Sequence, residues 1–456
     1  MTPQAELAAA FRRDFRGETF GPDDPGYDAA RAVWNGTVAT HPALVARCRT
    51  TDDIVAAVNL TREAGAPLAI RAGGHSVAGL SSCDGGVVID LTAMRGVTVD
   101  PERRRAYVEP GARWAEYDMA TAGRGLASTG GLISTTGVAG LTLGGGIGWL
   151  QRKHGLACDS LRGARIVTAD GSVIEADESL LWGLRGGGGN FGVVTQFEFD
   201  LHPVSTILGG LLLFPFERGG DVLRAFRDWA ADAPDEASFI AAINTAPPEP
   251  FVPAELVGQL VVGLVGCWCG EIGEGERAIA PLRALGPAVD LVGPMPYPAL
   301  QGMLDASAPS GLRNYFRGGY VAQLSDAVID TALTQGAAMS SPMSQIHFHQ
   351  MGGAVGRVGT SMSSFPGRAA GYTYNLIGTW TEPARDAANI DAVRAASDAL
   401  APLSIPGGYV NFNSDADADR VRGQYGDAVY DRLARLKREH DPMNLFSRNQ
   451  NVRPAA

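Results

Sequence analysis

Cysteine and basic charge are scarce in this chain of 456 residues, and each scarcity excludes a class of protein. The five cysteines are too few and too scattered for a disulfide framework, so reduced thiols in packed strands are expected. Cys267 and Cys269 have one residue between them and no second ligand pair, which is not the spacing of a zinc site. Acidic residues outnumber basic ones by 49 to 38. The one basic cluster, residues 103–105, lies in an apparent turn, so neither nucleic acid nor an anionic membrane is an expected partner.

Long apolar runs are also missing. Because no stretch of about 18 apolar residues occurs, a membrane span is not expected. Residues 1–20 mix charged side chains with alanines, which predicts a polar helix rather than a secretory signal. We therefore expect a cytoplasmic protein, a monomer or a homodimer, whose partners are small molecules.

Glycine, in contrast, is abundant, with 59 residues, and three clusters of glycines are notable. The first cluster follows an apolar stretch at 67–70 that predicts a buried strand, and it comprises Arg71, Ala72, Gly73, Gly74, His75 and Ser76. Paired glycines let a backbone approach a ligand closely, and successive bare N–H groups form a concavity that suits a pyrophosphate. A tight turn between two strands with a histidine at the surface explains this stretch equally well when it is taken alone.

The second cluster holds eight glycines within residues 130–148, interleaved with apolar side chains that a disordered linker would lack. It predicts a buried loop that wraps closely around a ligand. The third cluster, residues 186–192, contains the spacing G-x-G-x-x-G at Gly187, Gly189 and Gly192. That spacing indicates a nucleotide-binding Rossmann fold only where a helix follows, whereas here an alternating strand is predicted at 193–199. A nicotinamide dehydrogenase is therefore not the favoured interpretation.

Hydrophobic periodicity predicts a mixed α+β fold without internal repeats. In the first half, Thr50 and Asp53 resemble a capping box at the start of a helix. From about Leu208, strands alternate with helices, which predicts a second domain with a mainly antiparallel sheet backed by helices. Among the predicted elements are helices over 52–64 and 114–122 and strands over 345–351 and 372–380.

These clusters and several later motifs, in this order and spacing, resemble the berberine-bridge-enzyme-like branch of the FAD-linked oxidases. That branch is part of the vanillyl-alcohol-oxidase or p-cresol-methylhydroxylase (PCMH) superfamily. The later motifs are residues 154–159, the segment 409–412, the dipeptide 436–437 and the stretches 441–446 and 449–451.

The resemblance implies an α+β fold in which a two-lobed FAD-binding domain of the PCMH type adjoins a substrate-binding domain. The sheet of the substrate-binding domain is mainly antiparallel and backed by helices. The implied boundaries are 1–203 for the N-terminal part of the FAD domain (about 38–203 for its PCMH-type unit), 204–405 for the substrate-binding domain and 406–456 for a berberine-bridge-like segment that returns to the FAD domain.

By the same resemblance FAD is the cofactor, and His75 is bonded covalently to the 8α-methyl group of the flavin. A neutral imidazole is a competent nucleophile near physiological pH, and a hydrogen bond from His75 to phosphate is the competing role. Many members have a second link through a cysteine. Ile133 stands at that position here, so we expect a single covalent link and a smaller, more enclosed site. The residues implied to bind FAD are Arg71, Ala72, Gly73, Gly74, His75, Ser76, Thr135, Gly137, Gly140, Gly144, Gly145, Gly148, Cys158, Asp159, Val193, Asn411 and Asn449.

The cofactor carries out the oxidation of a C–H bond next to oxygen or nitrogen, while an alcohol substrate also needs a general base. Family members use a tyrosine or an acid for this purpose, which makes Tyr409, Tyr374 and Tyr372 the candidates here. Asn375 stands where plant members have Glu or Gln, and an asparagine cannot be a base. The catalytic base therefore stays open among these positions.

The resemblance implies an oxidase that acts on an alcohol, a sugar or a secondary metabolite and reduces O2 to hydrogen peroxide. A flavin dehydrogenase with another electron acceptor is one alternative. A non-catalytic flavin- or ligand-binding protein is another, because Phe412 lacks a hydroxyl group that the family often keeps. His347 and His349 share one strand face and are predicted to point into the cleft, but with no third ligand they do not predict a metal site.

Overall fold

Three β-sheets organise the part of the chain that the computed structural model describes, residues 3–456. The first sheet contains Glu18–Phe20 (β1), Leu44–Arg47 (β2), Leu68–Arg71 (β3) and Val87–Asp90 (β4). β2, β4 and β3 pair in parallel in that order, and β1 pairs antiparallel with β2. The three parallel strands are almost entirely buried, which explains their apolar sequences. Three helices accompany this sheet: Pro3–Asp14 (α1), Tyr27–Arg31 (α2) and Thr51–Glu63 (α3).

The second sheet is antiparallel. Its strands are Val97–Asp100 (β5), Arg105–Val108 (β6), Leu161–Val167 (β8), Val173–Glu175 (β9) and Val193–Asp200 (β10), in the spatial order β5-β6-β10-β8-β9. A separate two-stranded ribbon pairs Leu126–Ala127 (β7) with His202–Pro203 (β11). The helices of this region are Trp114–Ala122 (α4), Val138–Leu143 (α5), Gln151–His154 (α6) and Glu178–Leu184 (α7).

The third sheet has eight antiparallel strands. They are Thr206–Pro215 (β12), Ala237–Thr245 (β13), Leu260–Trp268 (β14), Val289–Asp290 (β15), Gly293–Pro296 (β16), Arg313–Val321 (β17), Gln345–Gln350 (β18) and Tyr372–Trp380 (β19). The spatial order is β15-β12-β14-β13-β18-β19-β17, and β16 also pairs with β12. The remaining helices are Gly219–Ala231 (α8), Ile272–Arg283 (α9), Tyr297–Gly302 (α10), Asp326–Ala337 (α11), Ala354–Arg357 (α12), Asp386–Leu400 (α13), Ala418–Tyr425 (α14) and Asp427–His440 (α15).

The two faces of the third sheet have different neighbours, because successive side chains along a strand point to opposite sides. One face, with Phe348 and Leu376 among its residues, packs into a large apolar core together with side chains of α8, α9, α11 and α13. The other face, with His347 and Asn375, lines a cavity. The sheet thereby separates a structural core from a site.

The α+β fold class predicted from the sequence is confirmed. The bounds of α4 and β19 agree with the prediction, and the capping box of α3 forms, with Thr50 and Asp53 bonding to each other's backbone N–H groups. The helix expected over residues 1–20 ends at Asp14, and its first two residues lie outside the described part of the chain. The boundaries at 203 and 405 stay a prediction.

One expectation about the second glycine cluster needs correction. It was predicted as a continuous loop, but its middle forms the helix α5 over Val138–Leu143. Gly140 lies within this helix, the other glycines of the cluster lie at its ends or beyond it, and Val138 and Ala139 are buried on its packed side. Among the helices of residues 3–456, none combines the length and the apolar character needed to cross a membrane.

The C-terminal helix α15 is joined to the third glycine cluster by a buried charge. The ammonium group of Lys437, which has no exposed surface, donates hydrogen bonds to Asp441 Oδ2 (2.7 Å), Asn190 O (2.7 Å) and Phe446 O (2.9 Å). Asp441 in turn accepts the backbone N–H groups of Leu445 and Phe446, both at 2.8 Å. Burial lowers the pKa of Lys437, and the carboxylate of Asp441 opposes that effect. The ion pair therefore fixes the C-terminal segment against the third glycine cluster.

We predict that Lys437→Met lowers the free energy of unfolding by about 3–5 kcal/mol, because it leaves the carboxylate of Asp441 buried without its partner charge. The double variant with Asp441→Leu should recover part of this loss. The exposed neighbour Arg438, replaced by Met as the control, should change stability by no more than about 0.5 kcal/mol. Urea unfolding followed by tryptophan fluorescence measures all three. Equal stability of Lys437→Met and Arg438→Met would contradict the role of Lys437.

Candidate active site

A cavity of about 1200 Å³ lies between the three glycine clusters and the face of the third sheet opposite the large apolar core. Residues from all three clusters line it, including Gly73, Gly137 and Gly189. Strands β13, β18 and β19 form much of the opposite wall. Of the residues implied to bind FAD or act in catalysis, those that line the cavity are Ala72, Gly73, Gly74, His75, Ser76, Gly137, Gly140, Gly144, Val193, Asn375, Tyr409, Asn411 and Asn449.

The first cluster presents a row of free backbone amides to this cavity. Within residues 3–456, none of the N–H groups of residues 73–77 donates a hydrogen bond, although the whole segment lines the cavity. Gly74 adopts a φ of 68°, a conformation that glycine reaches at little cost. Unpaired N–H groups that face one space form a cradle for an anion. The pyrophosphate of FAD therefore fits the donors that this segment offers.

The first and second clusters meet through glycine backbones. A Cβ atom built on Gly137 would lie 2.6 Å from the N atom of Gly73, and one built on Gly73 would lie even closer to Gly137. Real Cβ atoms do not approach other atoms so closely. Only glycine at both positions allows the two segments to touch and to surround the cavity from adjacent sides.

His75 lies within the first cluster, and residues from other segments contact its ring. Its ring stacks on Trp34, with centroids 4.4 Å apart and planes inclined by 17°, and its Nε2 lies 3.4 Å from Thr135 Oγ1. The backbone N–H of Trp34 donates a hydrogen bond to Gly74 O (3.0 Å), which joins Trp34 to the first cluster. Burial, together with the positive charge of Arg113, lowers the pKa of His75 to about 4. The imidazole is therefore neutral at physiological pH, as a nucleophile must be.

Tyr409 lies at the other side of the cavity, against the second cluster. Its buried Oη accepts hydrogen bonds from Asn411 Nδ2 (2.9 Å), Gly146 N (3.1 Å) and Ile147 N (3.4 Å). Burial raises the pKa of Tyr409 to about 12, although these three donors act in the opposite direction. The phenol thus keeps its proton near neutral pH, and its position makes it a support for the glycine backbone.

Tyr374 and Tyr372 require correction, because the structure does not bring either to the cavity. Both belong to the face of β19 that packs into the apolar core, whereas Asn375, one position after Tyr374 and three after Tyr372, is on the cavity face. The Tyr374 hydroxyl lies 3.1 Å from Ser404 Oγ, and burial raises its pKa. Successive side chains along a strand point to opposite faces. This alternation predicted that His347 and His349 point into the cleft, and it also turns Tyr374 away from the cavity.

Cys158 and Asp159 also lie outside the cavity lining, contrary to the expectation. The thiol of Cys158 is fully buried, and burial raises its pKa, so it stays protonated. Asp159 accepts two hydrogen bonds from the guanidinium of Arg368, at 2.6 and 3.0 Å. This pair supports the second cluster from behind.

Four further predicted residues are not part of the cavity lining. Arg71 pairs with Asp90 (2.7 Å) and donates to Ala30 O and Ala32 O, which stabilises the end of β3. Thr135 contacts the His75 ring, as described above. The carbonyl of Gly145 accepts the N–H of Cys158 at 2.8 Å, and Gly148 packs against Gly130.

Two residues that matter for the site were not predicted from the sequence. Trp34 stacks on His75, and Asn35 joins the first cluster to the third sheet. Asn35 Nδ2 donates to Val77 O (2.8 Å) and Asn314 O (3.0 Å), while its Oδ1 accepts the N–H of Asn314 (2.9 Å). They occupy an irregular segment between α2 and β2, where periodicity provides no signal.

Comparisons with known proteins agree with this geometry. A family model described as FAD binding domain matches residues 42–177, and one described as berberine and berberine like matches residues 408–453. The (R)-6-hydroxynicotine oxidase of Paenarthrobacter nicotinovorans is 30% identical over 96% of this chain and 97% of its own length. An FAD-linked oxidoreductase of Dictyostelium discoideum is also 30% identical, over 92% of this chain and 91% of the relative.

Solved structures agree as well. The crystal structure of 6-hydroxy-D-nicotine oxidase from Arthrobacter nicotinovorans has a TM-score of 0.87 and 27% identity, and the match covers 97% of this chain and 98% of that one. The match to an FAD-binding domain, together with this fold, defines the class of protein as a flavoprotein. The chain belongs to the berberine-bridge-enzyme-like FAD-linked oxidoreductases, and it is an enzyme with FAD as its cofactor.

We predict that Gly137→Ala reduces bound flavin severalfold, because the added methyl group forces the first and second clusters apart. The ratio of flavin to protein absorbance in the purified protein measures the loss. Gly423→Ala is the matched control, since Gly423 lies on the exposed side of α14 with no atom within 4 Å of an added Cβ. Full flavin content in Gly137→Ala would show that the backbone contact is dispensable.

Proposed function

We propose that His75 carries the FAD as its single covalent link, and that the enzyme is an oxidase. It oxidises a C–H bond next to oxygen or nitrogen in a small molecule and reduces O2 to hydrogen peroxide. The placement of His75 carries this proposal, because a neutral ring is stacked on Trp34 beside the row of free amides. If the pyrophosphate of the flavin binds these amides, the His75 imidazole lies next to the bound cofactor.

The single link is supported by the residues at the two other candidate positions. Ile133, which stands where many family members have a cysteine, lines the cavity and has no nucleophilic group. Cys158 is buried behind the second cluster, with its pKa raised by burial, so no thiolate is available. His75 is then the nucleophile that faces the cofactor space.

The residues of the chain bind and orient, while the FAD, when bound, supplies the two-electron acceptor between substrate and O2. The amides of residues 73–77 hold its phosphates. Tyr409 and Asn411 fix the backbone of the second cluster, since Asn411 Nδ2 bonds both to Tyr409 Oη and to Leu141 O (3.2 Å). A phenol with a pKa of about 12 keeps its proton, which argues against Tyr409 as the general base.

A small-molecule substrate is supported by the relatives, which include a hydroxynicotine oxidase at 30% identity over nearly the whole chain. The cavity is also consistent with this class, because it extends past the cofactor cradle to the face of the third sheet.

We predict that acid precipitation of the wild-type protein leaves the yellow flavin in the pellet, whereas His75→Ala releases its flavin into the supernatant. The reason is that the substitution removes the imidazole beside the amide cradle and leaves the cradle itself intact. Flavin absorbance of pellet and supernatant measures the partition. A peroxide assay with a panel of alcohols, sugars and amines follows on the same preparations.

Cys158→Ser is the matched control, and its flavin should remain in the pellet. A colourless wild-type pellet would contradict covalent attachment, and loss of colour in Cys158→Ser would contradict the single link to His75. A yellow wild-type pellet with no peroxide from any compound would favour a non-catalytic flavin-binding protein, and turnover only with an artificial electron acceptor would favour a dehydrogenase.

A further inference from the structure

The cavity face of the third sheet carries polar side chains without partners. We call His347, His349 and Asn375 the histidine–asparagine set. His347 and Asn375 are directly opposite each other in the antiparallel pair β18 and β19, and His349 is two residues further along β18. All three line the cavity. The set therefore forms one polar patch on the wall that faces the glycine clusters.

Two members of the set have unmet hydrogen-bonding capacity. His349 is 1% exposed and Asn375 is 3% exposed. Within residues 3–456, neither ring nitrogen of His349 has a hydrogen-bond partner. Asn375 Oδ1 has no partner there either. His347 differs, because its Nε2 lies 2.7 Å from Gln345 Oε1. Buried polar groups in native proteins nearly always have a partner, so these atoms require one from whatever fills the cavity.

The surroundings of the set are apolar and nearly without charge. Ile240 faces His349 across the strand pair, and Val265 and Ile377 extend the wall. Burial lowers the pKa of both His347 and His349, which keeps the two rings neutral. Among the described lining residues, the fixed charges are Glu249, which is exposed, and Arg448, whose guanidinium donates to Ser82 O. The set thus has no counter-ion for a charged ligand.

We propose that the substrate is an uncharged alcohol with a mainly apolar body, and that its hydroxyl group donates a hydrogen bond to His349. This inference rests on the proposed function and narrows it from a C–H bond next to oxygen or nitrogen to one next to oxygen. A hydroxyl group both donates and accepts, so it satisfies a neutral imidazole nitrogen and remains within reach of a second donor. Asn375 Oδ1 accepts any further donor on the same ligand.

Other substrate classes fit this wall less well. An amine is an ammonium ion at neutral pH, and burying that charge without a carboxylate is costly. An oligosaccharide presents many hydroxyl groups, most of which would be left unpaired against Ile240, Val265 and Ile377. One hydroxyl on an apolar body uses the polar patch and the apolar wall together.

Three isosteric probes test the inference in the holoenzyme. Dimethylphenylcarbinol is a tertiary alcohol with no hydrogen on its carbinol carbon, so it binds without being oxidised. In tert-butylbenzene a methyl group replaces the hydroxyl, and in phenyltrimethylammonium the central carbon is a cationic nitrogen. Titration of the flavin absorbance provides a dissociation constant for each. We expect the alcohol to bind at least about tenfold more tightly than the cation.

His349→Leu should lower the ratio of alcohol affinity to hydrocarbon affinity about tenfold, which corresponds to the loss of one buried hydrogen bond. His349→Phe is the second variant, with the same expected decrease because it also removes both ring nitrogens, and it serves if His349→Leu does not fold. His41→Gln is the control, because His41 is exposed and is not among the residues that line the cavity. Its ratio should equal that of the wild type.

The inference is overturned by an unchanged ratio in His349→Leu, by a cation that binds as tightly as the alcohol, or by no binding of any probe. Acid precipitation of the same preparations separates this failure from that of the proposed function. Flavin retained in the pellet together with an unchanged ratio would refute the alcohol site alone. Flavin released by acid would refute covalent attachment, whatever the probes show.

Discussion

The contact between Gly73 and Gly137 is the constraint on which the rest of the site depends. Two backbone segments meet there with no room for a single methyl group. Because they meet, the free amides of residues 73–77 and the start of α5 border one cavity, and Trp34 holds His75 over its edge. The proposed cofactor cradle thus consists of backbone groups, whose directions are fixed by the fold rather than by flexible side chains.

The cavity wall opposite the glycine clusters is formed by side chains of the third sheet rather than by backbone groups. The third sheet buries one face under helices and leaves the other as a surface of alternating side chains, so single substitutions on β18 and β19 change its chemistry without disturbing the core. Neutral histidines and an asparagine on an apolar wall make this surface selective for uncharged groups. The buried pair of Lys437 and Asp441 then joins the C-terminal segment, including Asn449, to the third glycine cluster.

Local sequence signals predicted much of this arrangement, and their limits have physical reasons. The glycine clusters indicated the cradle because close backbone contact requires a residue without a side chain, and alternation placed His347 and His349 on the cavity face. The same motifs could not separate residues that touch the cavity from those behind it, which is why Cys158 and Tyr374 were expected there. Trp34 and Asn35 act through partners far away in the chain, Ala308 and Asn314, and no local pattern records such contacts.

In the proposed enzyme, the amide cradle positions the flavin against His75. Proteolysis of the wild-type holoenzyme, followed by mass spectrometry of the flavin-bearing peptides, locates the attachment site. We expect one peptide that carries the flavin, with fragmentation that locates the added mass on His75. Flavin on a peptide that contains Cys158, or recovered only as free FAD, would contradict it.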